Sequence, residues 1–258
     1  MPELDSRQDG AVLTLTLNRE AQRNSLSAGL VSELLAGLKA AESAESVRLV
    51  ILTGAGNKAF CAGGDLASGA TADGFLAGHE GRRRYGTLLA AMANFEKPLV
   101  GRINGLALAG GLGLVCACDL AIAADDTQFG TPEVNVGLFP YMVTALLFRA
   151  IGPKHAMELV LTGKRVSAAE AASIGLINRA VPRASLDDEI GRLATELASK
   201  SPAILRLGKR AIQKTRDIAI DPALELLAAQ LSVNSLTEDA MEGITSFLEK
   251  RPPEWKGR

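Results

Sequence analysis

The sequence predicts an α/β fold with parallel crossovers that gives way to helices toward its C-terminus. Three observations predict it. Short apolar runs recur just before glycine-rich turns, segments of helical period separate those runs, and helix-start signals follow one another beyond about Gly152. Of the 258 residues, 47% are hydrophobic and 22% charged, enough for a buried core and too apolar for a disordered chain. Only 4% are aromatic, so alanine, leucine, valine and isoleucine must fill that core.

Taken in order, Val12 to Leu17 alternates apolar residues with threonine, the period of a half-buried strand. Leu26 to Ala44 then reads as a helix through Leu30, Leu34, Leu35 and Leu38. Val47 to Thr53 reads as a strand that ends in the turn Gly54-Ala55-Gly56. The polar, glycine-rich stretch from Ser68 to Gly81 reads as a mobile segment, and a helix follows through Leu88, Leu89 and Met92. Pro98 to Ile103 is a strand, Leu114 and Val115 lie on a helix, and Leu120 to Ala124 is a further strand. The strand–helix–strand spacing repeats after about 50 residues, as in successive turns of a spiral. From Gly152 onward the pattern is helical. Ser167 to Glu170 forms a capping box, Ser201-Pro202 and Asp221-Pro222 read as cap-plus-first-turn pairs, and Thr237-Glu238-Asp239 opens a last helix. Leu224, Leu227, Ala228 and Leu231 make an apolar stripe suited to a partner subunit or to the parent domain.

Two glycine-rich loops carry the chemistry. Phe60-Cys61-Ala62-Gly63-Gly64-Asp65 follows the apolar run Leu49 to Leu52, and Asn104 through Gly111 follows Leu99 to Ile103. Glycine lets a backbone N–H approach a ligand closely, and two such donors aimed at one point form an oxyanion hole. Each loop alone is also compatible with a tight turn, and the second with phosphate binding at a helix start. It does not match a dinucleotide fingerprint, because Gly110, Gly111 and Gly113 have the wrong spacing, and no Walker lysine–serine pair occurs. Twenty residues past Gly111 comes Thr131-Pro132-Glu133, whose carboxylate is placed to act as an acid or base or simply to sit in a helix first turn. Two donor loops and one carboxylate point to enolate chemistry.

Other functions fit less well. A net charge of −1 argues against general nucleic-acid binding, although Arg82-Arg83-Arg84, Lys209-Arg210 and Lys250-Arg251 are local basic clusters of the kind found on solvated helix faces. The three cysteines, Cys61, Cys116 and Cys118, suggest a reduced compartment and small buried residues, with neither metal nor redox spacing. His79 and His155 stand beside no nucleophile motif. The N-terminal Met-Pro-Glu-Leu-Asp has no secretory character, and the apolar run Gly105 to Cys118 is too short to span a bilayer, so a cytoplasmic location is expected.

With these motifs in view, the chain resembles the crotonase superfamily, the enoyl-CoA hydratase/isomerase family, over nearly its whole length. The matching runs are Arg23 to Leu26, Ala59 to Leu66, Lys97 to Asp119, Phe129 to Glu133, Leu159 to Gly163, Ala171 to Leu176 and Glu242 to Lys250. The resemblance implies a ββα spiral core over residues 1–196 and a C-terminal helical oligomerisation region over 197–258, packing a homotrimer or a dimer of trimers. It implies that Gly64 and Gly110 supply the oxyanion N–H groups and that Glu133 is the acid/base. Arg23, Ser25, Leu26, Ala62, Asp65 and Leu66 fall where the family contacts coenzyme A. Phe247 and Lys250 match a C-terminal pair that reaches the coenzyme, in some members from a neighbouring subunit. No separate cofactor or metal is implied, because coenzyme A enters as part of the acyl-CoA substrate.

One position departs from that pattern. A second glutamate of the hydratases would stand three residues after Gly110, where this chain has Gly113. A single glutamate suffices to move a double bond, so the expected activity is enoyl-CoA isomerisation, or hydration if another group such as Asn135 or Tyr141 holds the water. The alternative is a catalytically idle acyl-CoA binder or scaffold. Ser68 to Tyr85 is expected to shape the acyl pocket.

Overall fold

A computed structural model describes residues 2–64 and 74–258. Strands β1 (Leu4–Asp9) and β2 (Val12–Leu17) form an antiparallel hairpin, and β2 then pairs in parallel with β3 (Leu49–Gly54). On β2 the leucines of the threonine alternation, Leu13, Leu15 and Leu17, point inward, as the period of two requires. β3 is buried along its whole length, which is what a strand covered on both faces of a parallel sheet must be. The first sheet continues through β5 (Leu99–Ile103), β7 (Leu120–Ala124) and β10 (Arg179–Val181), in the order β1-β2-β3-β5-β7-β10.

A second, smaller sheet runs β4 (Ala59–Cys61), β6 (Leu106–Leu108), β8 (Gln128–Gly130) and β9 (Arg165–Ser167). The chain alternates between the two sheets and then turns into a helix. β3 and β4 lead to α2 (Phe75–Ala93), β5 and β6 to α3 (Gly110–Ala117), β7 and β8 to α4 (Tyr141–Ala150). This is the ββα spiral. The large core lies between the sheets, α1 (Ala28–Ser43) and these helices, while α7 (Leu186–Ala198) covers the outer face of the first sheet with Leu186, Ile190 and Ala194.

Several boundaries differ from the sequence expectation. Helix α2 begins at Phe75, so Phe75 to Gly81 are helical and His79 lies on that helix, its ring stacked on Phe75. The rest of the stretch expected to be mobile, Ser68 to Asp73, lies outside the described residues apart from Gly74 at the helix start. The short strands β4 and β6 sit inside what reads as loop, because three residues are too few to show a period. The helical reading past Gly152 is interrupted by β9 and β10, which flank α6 (Ala168–Ser173). Ser201 and Thr237 do cap α8 (Pro202–Thr215) and α10 (Glu238–Glu249), their hydroxyls accepting from Ile204 N–H and Ala240 N–H at 3.1 Å each. Asp221 is no cap: α9 (Ile220–Asn234) starts one residue earlier, after Ala219.

Two buried asparagines fasten the turn between β3 and β4. The Asn104 side chain donates to the Gly54 carbonyl at 2.7 Å and to that of Gly56, and accepts from Gly54 N–H at 3.2 Å. Asn24 donates to the carbonyls of Ala55 and Ala59 and accepts from Arg19 N–H. Both side chains substitute for the backbone ladder that a tight turn lacks. Asn104→Ala would orphan those buried groups, and we expect it to lower stability by about 2 kcal/mol, read as a shift in the urea midpoint without a change in slope.

Candidate active site

The two glycine loops leave from neighbouring parallel strands, β4 and β6, and meet main chain to main chain. Gly63 has φ +104°, and a Cβ on it would lie 2.7 Å from Ala109 Cβ, 3.1 Å from the Leu108 carbonyl and 3.4 Å from Gly110 N. A Cβ on Gly111 would fall on the Cys61 carbonyl, far inside any real contact. Ala109 adopts φ 51° and ψ −126°, a strained conformation for a residue with a side chain, while its N–H donates to the Gly130 carbonyl at 2.9 Å. That turn makes Gly110 the first residue of α3, where its N–H has no acceptor within the helix.

Arg23, Ser25, Leu26, Ala62 and Gly64 gather at the same place. Arg23 and Asn24 are both left-handed, with φ 53° and 55°, which folds the segment back onto the first loop. Ala62 N–H donates to the Arg23 carbonyl at 3.0 Å and Leu26 N–H to the Gly63 carbonyl at 2.8 Å. Leu26 pairs with Gly64 in an isolated parallel bridge, and its Cδ1 lies 3.2 Å from where a Gly110 Cβ would be. The guanidinium of Arg19 donates to both the carbonyl and the hydroxyl of Ser25, fixing that turn. No described atom lies within 4 Å of a Cβ built on Gly64. Asp65 and Leu66 lie outside the described residues.

Phe247 and Lys250 are elsewhere. They stand at the end of α10, Phe247 81% exposed and Lys250 left-handed at the helix C-terminus. Among the described residues, no hydrogen bond or ion pair joins either to a glycine loop within this chain.

Glu133 follows β8, the neighbour of β6, in a 3₁₀ turn over Pro132–Val136 that Gly137 closes at φ +76°. Thr131, fully buried, anchors the turn by donating its hydroxyl to the Leu159 carbonyl at 3.0 Å. The Glu133 carboxylate oxygen Oε2 is buried and has no hydrogen-bond partner among the described residues. Burial raises its pKa above the usual glutamate value, partly offset by a hydrogen bond from its own backbone N–H. A buried, unsatisfied, proton-seeking carboxylate is a poor structural element and a good base.

Tyr85, on α2, completes the arrangement. Its hydroxyl donates to the Gly110 carbonyl at 2.7 Å and occupies the space where a side chain on Gly113 would begin. The phenol is held well above the ordinary tyrosine pKa by burial first, then by the thiols of Cys61 and Cys116 and by the charge of Glu133. Of the residues considered for holding a water, Asn135 is exposed, and Tyr141 is 76% exposed with its ring against Phe139. Sequence reasoning placed Tyr85 at the end of the segment expected to shape the acyl pocket and did not single it out. Its spacing from Leu88 and Leu89, one turn away on the same helix face, was the signal available.

The thiols are free, and burial pushes Cys61 and Cys116 up to about 12, so both stay protonated. Among the described residues no three His, Cys, Asp or Glu cluster as metal ligands would, and no helix is long and apolar enough to cross a membrane.

Comparison with known proteins places the chain in a family. The model of the enoyl-CoA hydratase/isomerase family matches residues 7–258. The chain belongs to the enoyl-CoA hydratase/isomerase family. It is similar to the 2,3-dehydroadipyl-CoA hydratase of Escherichia coli, 34% identical over 100% of both chains. It is also similar to the mitochondrial enoyl-CoA hydratase domain-containing protein 3 of Rattus norvegicus, 35% identical over 98% of this chain and 85% of that one. The crystal structure of an enoyl-CoA hydratase of Mycobacterium smegmatis superposes with a TM-score of 0.95, at 36% identity and 99% coverage of each chain. The crotonase superfamily expected from the sequence, and its fold, are thus those of this chain.

Proposed function

We propose that this member of the enoyl-CoA hydratase/isomerase family binds acyl-CoA thioesters, stabilises their enolates and moves a carbon–carbon double bond. The observation that carries the reading is the buried Oε2 of Glu133, unpartnered among the described residues, on the turn after β8, whose Gly130 carbonyl accepts from Ala109 N–H beside Gly110. In a 3-enoyl thioester the α-proton passes to Glu133, and the thioester oxygen takes up the charge. Gly64 and Gly110 N–H donate to that oxygen, helped by the positive end of the α3 dipole. Glu133 then delivers the proton to the γ-carbon, which restores the carboxylate and leaves a 2-enoyl thioester. Hydration, named for the relatives above, needs a second group to hold and activate water, and the space for one on Gly113 is filled by the Tyr85 phenol.

Arg23, Ser25, Leu26 and Ala62, together with Asp65 and Leu66, bind the coenzyme A portion in this reading. The exposed apolar residues of α9 and α10, such as Leu224, Leu231 and Phe247, support assembly as a homotrimer or dimer of trimers. Phe247 and Lys250 would then meet the coenzyme of a neighbouring copy, with the Lys250 ammonium opposite a phosphate. A net charge of −1 favours a protein that binds no nucleic acid, and a cytoplasmic location without membrane binding belongs to the same reading.

Incubation with 3-enoyl and 2-enoyl thioesters in deuterated buffer tests the reading. We expect conversion of the 3-enoyl to the 2-enoyl compound faster than any hydration; where Glu133 trades its proton with solvent, deuterium enters the α-carbon of recovered substrate and the γ-carbon of product. Thioester binding with neither conversion nor exchange would mark an idle acyl-CoA-binding scaffold instead.

A further inference from the structure

We infer that Tyr85 determines the reaction outcome: by filling the space beside Gly113 it keeps water from the reacting carbons, so that a 2-enoyl thioester formed at the site leaves without being hydrated. The inference rests on the enolate reading above. Gly113 lies one helical turn beyond Gly110 on α3, so its missing side chain faces the same side as the Gly110 amide. Outside the backbone of α3, the described atoms nearest to a Cβ at 113 are the Tyr85 hydroxyl oxygen, then Leu89 Cδ2 and Val143 Cγ2 at 3.4 Å each. The phenol thus occupies the space between two methyl groups, and a water there would have to displace it from the Gly110 carbonyl. The phenol proton is committed to the Gly110 carbonyl at 2.7 Å. Burial and the neighbouring Cys61, Cys116 and Glu133 keep the phenol neutral, so it cannot activate water as a base.

The two outcomes differ in their bonds. Isomerisation moves one proton from the α-carbon to Glu133 and on to the γ-carbon. The α C–H electron pair becomes the new α,β double bond and the old β,γ pair receives the proton. Hydration would form a bond from a water oxygen to the β-carbon, with one water proton passing to a base and one proton arriving at the α-carbon. Only the second path needs a water beside Gly113.

The test supplies a 3-enoyl thioester to the wild type, Tyr85→Ala, Tyr85→Leu and Tyr85→Phe and reads the ratio of 3-hydroxyacyl to 2-enoyl product. That ratio does not depend on how much of a variant is folded. Alanine should raise it about tenfold or more, a change typical of a reshaped pocket. Leucine, which keeps an apolar side chain on the core but withdraws from Gly113, should raise it in the same direction. Phenylalanine keeps the ring but removes the hydroxyl that reaches Gly113, and it should raise the ratio less than alanine does. An unchanged ratio in alanine and leucine, with α-proton exchange intact, overturns the inference. So does a phenylalanine ratio that shifts as far as alanine's, since the hydroxyl rather than the volume would then decide. A wild type that neither converts the 3-enoyl thioester nor exchanges its α-proton overturns the enolate reading itself, and this inference with it.

Discussion

Glu133→Gln is expected to reduce double-bond transfer about 10²- to 10⁴-fold in kcat, the usual contribution of a positioned acid/base, with little change in KM. The amide keeps the shape and cannot carry the proton. Its effect on stability should have the opposite sign from that of most core replacements. A carboxyl whose folded pKa is raised binds more protons folded than unfolded, so stability falls as pH climbs from the unfolded value through the folded one. At neutral pH the ionised Glu133 therefore works against folding, and glutamine should leave the melting temperature equal or higher. The same shift sets the pH profile. As the base must be ionised, kcat/KM should rise along a limb lying above the usual carboxylate range, and that limb should vanish in the glutamine variant. A variant that turns over like the wild type, or loses activity only because it unfolds, would remove Glu133 from the role assigned to it.

Much of the spiral is legible in the sequence because it depends on local physics. The threonine alternation of β2, the apolar run Leu49 to Leu52 of β3, the all-apolar β7, and the hydroxyl caps at Ser167, Ser201 and Thr237 each state their structure within a few residues. The glycine loops are equally plain, since Gly63 needs a left-handed φ and Gly111 lies against a carbonyl. What could not be read locally depends on partners distant along the chain. β4 and β6 are strands because each pairs with the next, and neither has length enough to show a period. Helix α2 carries glycines at 78, 81 and 86, which lower its intrinsic propensity, yet it forms because Leu88, Leu89 and Met92 bury one face. Tyr85 belongs to the site only because α2 lies across α3 at Gly113, a contact between residues 28 positions apart. The apolar stripe on α9, open between partner and parent domain, stays exposed within one chain: Leu224 is 57% and Leu231 66% accessible.

Gly111→Ala should be the most damaging of the small substitutions. In an ordinary helix, alanine in place of glycine stabilises by about 1 kcal/mol. Here the added methyl would sit on the carbonyl of Cys61, 2.8 Å from its carbonyl carbon and 2.9 Å from its Cβ. Cys61 is wholly buried at the end of β4, so neither strand nor helix can retreat without opening the core. The clash outweighs the propensity, and we expect a net loss of about 3 kcal/mol, at the upper end of overpacking costs. The same wedge would drive the two glycine loops apart. A displacement of about 1 Å between catalytic groups can cost on the order of 100-fold in rate, so the fraction that still folds should also be slow. Gly64→Ala is the control for stability, because no described atom lies within 4 Å of its added methyl, and it should leave stability near that of the wild type. Urea denaturation of both variants, with kcat measured per folded molecule, separates the two effects. If Gly111→Ala were as stable and as fast as the parent, the close packing of α3 against β4 would be wrong, and with it the approach of the two donor loops.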